Sequence, residues 1–350
     1  MKTYSSSKLT LLSLLLVGAA LGTHTSAQEA ETLRPLAVDD YFAIQSVGSP
    51  IVSPDGAWVV YTVSTKDLEN DRTESRLWSV PTAGGEARPI TAKGWGVGSP
   101  SWTPDGQYLA FTARSDDQGS QLFRLDLRGG GERVQITNVE GGIGGYKWSP
   151  DGKRLLLSIR DKNTDDPSGP WVIDRLVFKQ DYVGYLNHQR THLYVHDLEA
   201  KTTIQITDGD YDDYGATWSP DGSRIAFVSN RTAEPDASSN TDIWLVDPDT
   251  PYDQQEPVRV TTNPGTDDSP IWHPDGERII FASNMDDPTG RDFDLYMINE
   301  DGSGQERITF LDGFDGFPVF SPDGRYLVWG SNRNQAREGE TNVFIAEWVE

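Results

Sequence analysis

The tripeptide Pro-Asp-Gly occurs six times along the 350 residues of this chain, each time between two apolar or aromatic segments. Its aspartates are Asp55, Asp105, Asp151, Asp221, Asp275 and Asp323. Successive copies lie 50, 46, 70, 54 and 48 residues apart, and a repeat of this length is typical of one four-stranded propeller blade. The repeat therefore predicts an all-β chain that folds as a six-bladed β-propeller with four antiparallel strands in each blade.

Aligning the six copies on the turn aspartate shows which positions the blades share. Three residues before the aspartate stand Val52, Trp102, Trp148, Trp218, Trp272 and Phe320. We expect six equivalent buried sites, where each aromatic side chain contributes about 2–3 kcal/mol of stability. After the turn, a continuous apolar run predicts a second strand that is covered on both faces. The first five copies end in a fourth strand that closes on Thr91, Thr137, Thr207, Thr261 and Thr309.

The Pro-Asp-Gly turn has a simple physical basis. Proline presets φ for the first central position, aspartate tolerates the second, and glycine accepts the conformation that leads into the next strand. Six copies cannot all form one active site. We therefore expect the six aspartates to be turn formers and not catalytic acids.

The sixth copy has no fourth strand before Glu350, which leaves a strand edge open in a circular propeller. The segment Leu33-Arg34-Pro35-Leu36 resembles the blade-closing segment Arg88-Pro89-Ile90-Thr91. We predict that residues 32–37 pair beside residues 342–347, so that the N-terminal strand closes the ring. The 70-residue interval holds an insertion at about residues 161–190, for which we expect a long hairpin in blade three. A seventh blade is the alternative, although the insertion carries no further Pro-Asp-Gly.

Residues 1–27 have the features of a secretory signal peptide. Lys2 and Lys8 precede an apolar run from Leu9 to Leu21, and small residues follow up to Ala27. The apolar run is shorter than a membrane span requires, which disfavours a permanent anchor. We expect cleavage after Ala27, no stable membrane insertion afterwards, and a propeller formed by residues 28–350 in the periplasm or outside the cell. The chain has no cysteine, so disulfides cannot stabilise it.

The formal net charge of −24 excludes some classes of partner. Nucleic acid and anionic lipid surfaces repel such a chain. A cationic partner or a bound metal ion is compatible with this charge, and so is an acidic surface that only keeps an exported protein soluble. We expect a protein or peptide partner, with the chain acting as a monomer or as part of a periplasmic complex.

The WSPDG-type repeats, together with Phe-x-Ser-Asn-Arg at Phe227 to Arg231, resemble the six-bladed propeller of TolB and its relatives. The N-terminal segment LAVDDYFAIQSVGSPIVSPDG and the insertion segment PWVIDR resemble the propeller of acylaminoacyl-peptidase-like members of the prolyl oligopeptidase family. The TolB resemblance implies a role in protein interaction. The peptidase resemblance implies a hydrolase domain after the propeller.

Sequence motifs for catalysis are missing from the 350 residues. There is no Gly-x-Ser-x-Gly nucleophile elbow. His188, His192 and His196 stand near the insertion, but a strand would hold His192 and His196 about 13 Å apart, so a shared metal is not expected. His273 occupies a position that is otherwise Ser or Thr. We therefore predict no catalytic residues and a chain that is not an enzyme.

The position eight residues before each turn aspartate separates the blades into two groups. It carries Val47, Val97 and Ile143 in the first three copies, and Asp213, Asp267 and Asp315 in the last three. We expect it to lie near the mouth of the central channel, with Asp208, Asp210, Asp212, Asp268 and Asp312 close by. Convergent carboxylates suit a hard cation such as calcium, or the basic end of a peptide. Solvated loop carboxylates are the alternative.

Two functions remain open at the level of the sequence. The first is an exported, non-enzymatic TolB-like propeller that serves as a protein or peptide interaction scaffold, with no firm cofactor. In this interpretation, Asp213, Asp268 and Asp315 are candidate ligands for a cation, and the same residues with Asp267 are candidates for partner binding. The second is the substrate-gating propeller of a prolyl-oligopeptidase-family serine peptidase, either truncated or working with a separate hydrolase chain.

Overall fold

The computed structural model describes residues 34–115, 118–127, 131–163, 169, 172–181 and 184–349. The predicted signal peptide and part of the insertion lie outside the described residues. The chain divides into one unit at Met1–Tyr41 and a second unit at Phe42–Glu350. Within the part of the chain that the structure describes, no helix is long and apolar enough to cross a membrane.

The second unit contains six antiparallel sheets, one for each Pro-Asp-Gly repeat, together with a two-stranded hairpin. Blade one consists of β1 (Ser46–Val52), β2 (Trp58–Asp67), β3 (Arg72–Pro81) and β4 (Arg88–Pro89). Blade two consists of β5 (Gly98–Trp102), β6 (Leu109–Arg114), β7 (Ser120–Leu125) and β8 (Arg133–Gln135). Blade three consists of β9 (Gly145–Trp148), β10 (Arg154–Arg160), β13 (Thr191–Asp197) and β14 (Thr203–Gln205), and the hairpin between its second and third strands consists of β11 (Lys179–Gln180) and β12 (Gly184–Tyr185).

The last three blades repeat the same order. Blade four consists of β15 (Asp213–Trp218), β16 (Ile225–Ser229), β17 (Asp242–Val246) and β18 (Val258–Arg259). Blade five consists of β19 (Asp267–Trp272), β20 (Arg278–Ser283), β21 (Asp294–Asn299) and β22 (Glu306–Arg307). Blade six consists of β23 (Asp315–Phe320), β24 (Tyr326–Ser331) and β25 (Asn342–Glu347). Among the described residues, the helices are α1 (Asp40–Ala43) and two short 3-10 helices, Pro235–Ala237 and Tyr252–Gln254. The predicted six-bladed β-propeller is confirmed, with three strands instead of four in the described part of blade six.

The Pro-Asp-Gly turns are held by a repeated set of hydrogen bonds. In five blades the hydroxyl two residues before the aspartate donates to its Oδ1 at 2.5–2.6 Å; the donors are Ser53, Thr103, Ser149, Ser219 and Ser321. The turn glycines all have φ between 69° and 77°, a region that glycine adopts without strain. The Ser219 hydroxyl and the N–H of Ser223 lower the pKa of Asp221 to about 2. These contacts fit the predicted role of the aspartates as turn formers.

The threonines that close the first five blades accept a hydrogen bond from the third strand. In each blade the threonine Oγ1 lies 2.9 Å from a backbone N–H; the donors are Leu77, Leu122, Leu193, Ile243 and Leu295. All five threonines are buried. A buried donor that loses its partner costs about 1–3 kcal/mol, which explains why the position carries a hydroxyl.

Five apolar clusters fill the spaces between consecutive blades, from the pair one and two to the pair five and six. No such cluster joins blade six to blade one within the described ranges. Trp218 and Trp272 are 7% exposed, but Val52, at the equivalent position of blade one, is 58% exposed. The prediction of six equivalent buried sites is therefore wrong for Val52, because no preceding blade packs against it.

The predicted ring-closing strand is not present at residues 34–37, which form no strand. Arg34 donates to Asp40 Oδ2 at 2.7 Å, and the N–H of Ala37 donates to the same carboxylate oxygen at 2.7 Å. These local bonds bend the segment into a turn before α1. Residues 32 and 33 of the predicted strand lie outside the described residues.

The insertion in blade three leaves β10 and returns at β13. The hairpin of β11 and β12 has only two residues in each strand, shorter than the predicted long hairpin. Arg175 fixes the insertion to the propeller: its Nε and Nη2 lie 3.0 and 2.6 Å from the carboxylate of Asp236, and its Nη1 donates to the carbonyl of Asn187. Val172, Ile173 and Leu176 are exposed on the anchored segment.

Candidate functional site

The first strand of each blade lies toward the centre of the ring, since neighbouring first strands contact each other, as β15 and β23 both do with β19. The predicted acidic position is at the start of these strands. Asp213, Asp267 and Asp315 are fully buried, so their carboxylates lie within the propeller wall and not in its open mouth. The equivalent Val97 and Ile143 are also buried, whereas Val47 in blade one is 69% exposed.

Two of the three buried aspartates are paired with an arginine that lies two residues after the second strand of their own blade. Asp213 Oδ1 lies 2.9 Å from Arg231 Nη2, and Asp315 Oδ2 lies 2.5 Å from Arg333 Nη2. Asp315 also accepts a hydrogen bond from Trp329 Nε1 at 3.2 Å. Buried charges persist when they are paired and hydrogen-bonded, so these carboxylates are already engaged inside the protein.

No arginine among the described residues pairs with Asp267, because Met285 stands where blades four and six carry Arg231 and Arg333. Ser283 Oγ donates to its Oδ1 at 2.5 Å, and Asn263 Nδ2 donates to its Oδ2 at 2.7 Å. Burial raises the pKa of Asp267 to about 6. Asp267 thus differs chemically from the two aspartates that share its position.

In blades four, five and six, a tyrosine, an aspartate and a phenylalanine stand one or two residues after the buried aspartate of the first strand. These two positions carry glycine or serine in the first three blades, at Gly48, Ser49, Gly98, Ser99, Gly144 and Gly145. Blade four carries Tyr214, blade five Asp268 and blade six Phe317. Tyr214 and Phe317 are 40% and 67% exposed, and Asp268 is half-buried. The inner strands therefore present an aromatic ring, a carboxylate and a second aromatic ring on three consecutive blades.

The backbone at Phe317 is unusual for its side chain. Its φ is 56°, in the left-handed region, where a bulky residue costs about 1–2 kcal/mol. The strand is bulged here, since its pairing with β24 shifts between Gly316 and Val319. Bulges of this kind re-aim side chains and are frequent beside functional sites. The Phe317 ring contacts Phe314, with ring centroids 5.4 Å apart.

The negative charge of Asp268 acts on the phenol group of Tyr214. Burial and the negative charge of Asp268 raise the pKa of Tyr214 to about 12, which keeps its hydroxyl protonated. A carboxylate attracts an ammonium or guanidinium group through its charge, and an aromatic ring attracts the same groups through its face. We refer to Tyr214, Asp268 and Phe317 together as the inner-strand triad.

A second acidic group lies where the fourth strand of blade three leads into blade four. Asp208, Asp210 and Asp212 are exposed there, and Arg190 Nη2 lies 2.8 Å from Asp210 Oδ1. The sequence prediction places Asp213, Asp267, Asp268 and Asp315 at one acidic mouth, but three of these residues are fully buried. Of these four only Asp268 is accessible, and the exposed charge belongs to neighbouring loop residues.

His192 and His196 contact different side chains. His192 Nδ1 lies 3.2 Å from Asp213 Oδ2, and His196 Nδ1 lies 2.8 Å from Thr203 Oγ1. Burial opposes the charged form of His192, but its bond to Asp213 raises its pKa above the usual value. Burial lowers the pKa of His196. No group of three or more metal-binding side chains is found among the residues that the structure describes.

His192 and Asp213 have the arrangement of a base and its orienting carboxylate, but the other side of the imidazole faces acids. His192 Nε2 lies 3.7 Å from Asp161 and 3.8 Å from Asp208. Across the described ranges no serine hydroxyl is bonded to His192. The pair therefore serves to neutralise buried charge, as Arg231 does on the other side of Asp213.

Tyr214 and Phe317 were not identified from the sequence, although the repeat contains the information. Aligned on the turn aspartate, both stand in positions that carry glycine or serine in the first three blades. The aspartate position is the more conspicuous one in the alignment because three of its six members are charged. Which of two adjacent positions is buried depends on the bulge in the first strand, and this bulge is not visible in the sequence.

No protein-family model matches the chain. Over 220 residues, 60% of its length, the chain is 28% identical to the uncharacterised peptidase YuxL of Bacillus subtilis, of which it covers 34%. It thus spans about a third of the length of this curated relative.

Among solved structures, the acylaminoacyl peptidase of Pyrococcus horikoshii superposes with a TM-score of 0.65 at 19% identity, over 87% of this chain and 45% of that one. The β-propeller domain of the Trilobed protease of Pyrococcus furiosus gives a TM-score of 0.55 at 17% identity, over 87% and 81%. TolB of Acinetobacter baumannii gives 0.48 at 16% identity, over 92% and 83%. The propeller domain of the Trilobed protease thus shares the fold that the repeat predicts.

Proposed function

We propose that this chain is an exported, non-catalytic propeller that binds extended polypeptides, and that the inner-strand triad receives a positively charged group of the bound segment. The observation that carries the proposal is the triad itself. Positions that are small in the first three blades hold exposed Tyr214 and Phe317 and a half-buried Asp268 on three consecutive blades. The left-handed backbone at this position is shared by Ser49, Ser99 and Ser269, so blade six differs by placing a large aromatic ring where those blades carry serine.

The surrounding charge supports a cationic group in this position. The chain carries a net charge of −24, and Asp208, Asp210 and Asp212 add exposed carboxylates on the blade-three side. Such a field raises the association rate of a basic segment, and the effect weakens as salt screens it. Export of the chain rests on the predicted signal peptide.

Fluorescence anisotropy with labelled peptides of about ten residues tests the proposal. We expect a peptide with lysine or arginine flanked by apolar residues to bind, and its glutamate-substituted counterpart not to bind. Asp268→Asn should weaken binding about tenfold or more, equivalent to about 1.4 kcal/mol, and Phe317→Ser should weaken it as well. Asp253→Asn removes the same charge from an exposed site in another loop and is the matched control. Equal affinity of the wild type, D268N and F317S would refute the proposal.

A second candidate function is favoured by the match to the peptidase YuxL and by the likeness to acylaminoacyl peptidase. In this function the chain is the propeller of a prolyl-oligopeptidase-type serine peptidase and controls access to a hydrolase. A fluorophosphonate probe separates the two functions. A labelled hydrolase polypeptide that co-purifies with this chain would favour the peptidase, whereas peptide binding with no labelled polypeptide in the preparation is the result that the first proposal requires. A neighbouring reading frame with a nucleophile elbow would also favour the second function.

A further inference from the structure

The fourth strands of the first five blades share one pattern of contacts with their third strands. The third-strand aromatic residue pairs with a fourth-strand residue in the same register each time: Trp78 with Pro89, Phe123 with Gln135, Tyr194 with Gln205, Trp244 with Arg259 and Tyr296 with Arg307. The next residue is Ile or Val, and its N–H donates to the third-strand carbonyl at 2.7–2.9 Å. Threonine follows and accepts the third-strand N–H through Oγ1.

The side chain before the Ile or Val completes the pattern in blades two to five. This side chain donates to the backbone carbonyl of the threonine two residues later. The donors are Gln135, Gln205, Arg259 and Arg307, at 2.7–2.9 Å. In blade one Pro89 stands at this position, and Arg76 of the third strand donates to the carbonyl of Thr91 instead. The residues that fit beside a third strand are therefore Arg or Gln in four blades, followed in all five by Ile or Val and then Thr.

The third strand of blade six has no such neighbour within the described residues, since β25 pairs only with β24. Phe344 pairs with Trp329 as Tyr296 pairs with Phe281 in blade five, so Val343 is the equivalent of Leu295. The same register directs the N–H and carbonyl of Val343 away from β24. Val343 and Ile345 are 79% and 65% exposed. An apolar edge with free backbone groups is a template for a further strand.

We propose that the outer edge of β25 binds an extended segment of another polypeptide, added as an antiparallel fourth strand, and that this segment carries Arg or Gln, then Ile or Val, then Thr. Backbone bonds to Val343 supply affinity, as in other cases of strand addition. The threonine Oγ1 and the Arg or Gln side chain supply selectivity through the contacts seen in the other blades. This surface is separate from the inner-strand triad, so the proposal does not depend on the function proposed above.

The test uses a fluorescein-labelled peptide with the sequence of residues 305–311 of this chain, Gln-Glu-Arg-Ile-Thr-Phe-Leu, and the whole propeller. We expect saturable binding by fluorescence anisotropy. A peptide with Thr replaced by Val should bind about tenfold more weakly, because it cannot accept the N–H of Val343. A peptide with N-methylated isoleucine should bind at least as weakly, because it cannot donate to the carbonyl of Val343.

Protein variants locate the site. Val343→Pro removes the N–H that the proposal uses and should abolish binding, whereas Val349→Pro, beyond the strand and equally exposed, should leave it unchanged. If Val343→Pro fails to fold, the N-methylated peptide decides, because it changes no residue of the protein. The proposal is overturned if the parent peptide does not bind, or if the Val-substituted and N-methylated peptides bind as well as the parent.

Discussion

Asp267 provides a direct test of how this propeller holds its buried carboxylates. It is fully buried without an arginine partner, and burial raises its pKa from 3.8 to about 6. The native state therefore keeps the proton up to about pH 6, whereas the unfolded chain loses it near pH 4. Between these values the native state binds more protons, so the free energy of unfolding falls as the pH rises. The difference corresponds to about 3 kcal/mol in total, of which about 1 kcal/mol is expressed between pH 5 and pH 8.

The perturbation is Asp267→Asn, which cannot ionise. We expect D267N to gain about 1 kcal/mol on the wild type when the pH is raised from 5 to 8. Every other titrating group is the same in both proteins and cancels in the comparison. Urea unfolding followed by tryptophan fluorescence measures the free energy of unfolding of both proteins at the two pH values. Asp253→Asn, at an exposed position, should show no such gain and is the control.

A second variant tests the cause. Met285→Arg places an arginine where Arg231 and Arg333 serve the other two blades, and it should favour the ionised form of Asp267. We expect the free energy of unfolding of M285R to fall much less between pH 5 and pH 8 than the part of the wild-type fall that Asp267 causes. The reasoning is refuted if D267N differs from the wild type by the same amount at pH 5 and pH 8, because the carboxyl would then be ionised at both.

Three further perturbations follow from the same contacts. Arg333→Met leaves Asp315 buried and unpaired and should cost about 3–5 kcal/mol in urea unfolding, part of which the double variant with Asp315→Asn should recover. Thr309→Val removes a buried acceptor and should cost about 1–3 kcal/mol, whereas Thr309→Ser keeps the hydroxyl and should cost less; a thermal midpoint that falls equally for both would contradict this role. Arg175→Met breaks the pair with Asp236 and should make the blade-three insertion more sensitive to limited proteolysis while the thermal midpoint changes little; unchanged cleavage would show that other contacts hold the insertion.

The repeat made most of the fold predictable from the sequence, because each position of the blade is sampled six times. The Ser or Thr before Asp55 and its equivalents, and the threonines that close the blades, stand in the structure where the alignment placed them. The environment of blade one was not predictable in this way. Val52 and Val47 occupy positions that are buried in other blades, but their burial depends on a preceding blade, and local sequence carries no information on that neighbour. The strand predicted at Arg34 and Pro35 failed for a different reason, since Asp40 accepts hydrogen bonds from Arg34 and from the N–H of Ala37 and holds the segment in a turn.

His273 and Asp213 show why a residue that departs from the repeat is not for that reason alone a functional residue. His273 replaces the Ser or Thr of five other blades, but it is buried, its Nδ1 lies 2.9 Å from Asp275 Oδ2, and its ring packs against Phe320. It therefore serves the turn, as the hydroxyls do elsewhere. Asp213 is also engaged inside the propeller, because its carboxylate is bound by Arg231 of its own blade and by His192 of the blade before it. Among the first-strand residues, a departure from the repeat indicates binding only where the side chain remains accessible, and Phe317 meets both conditions.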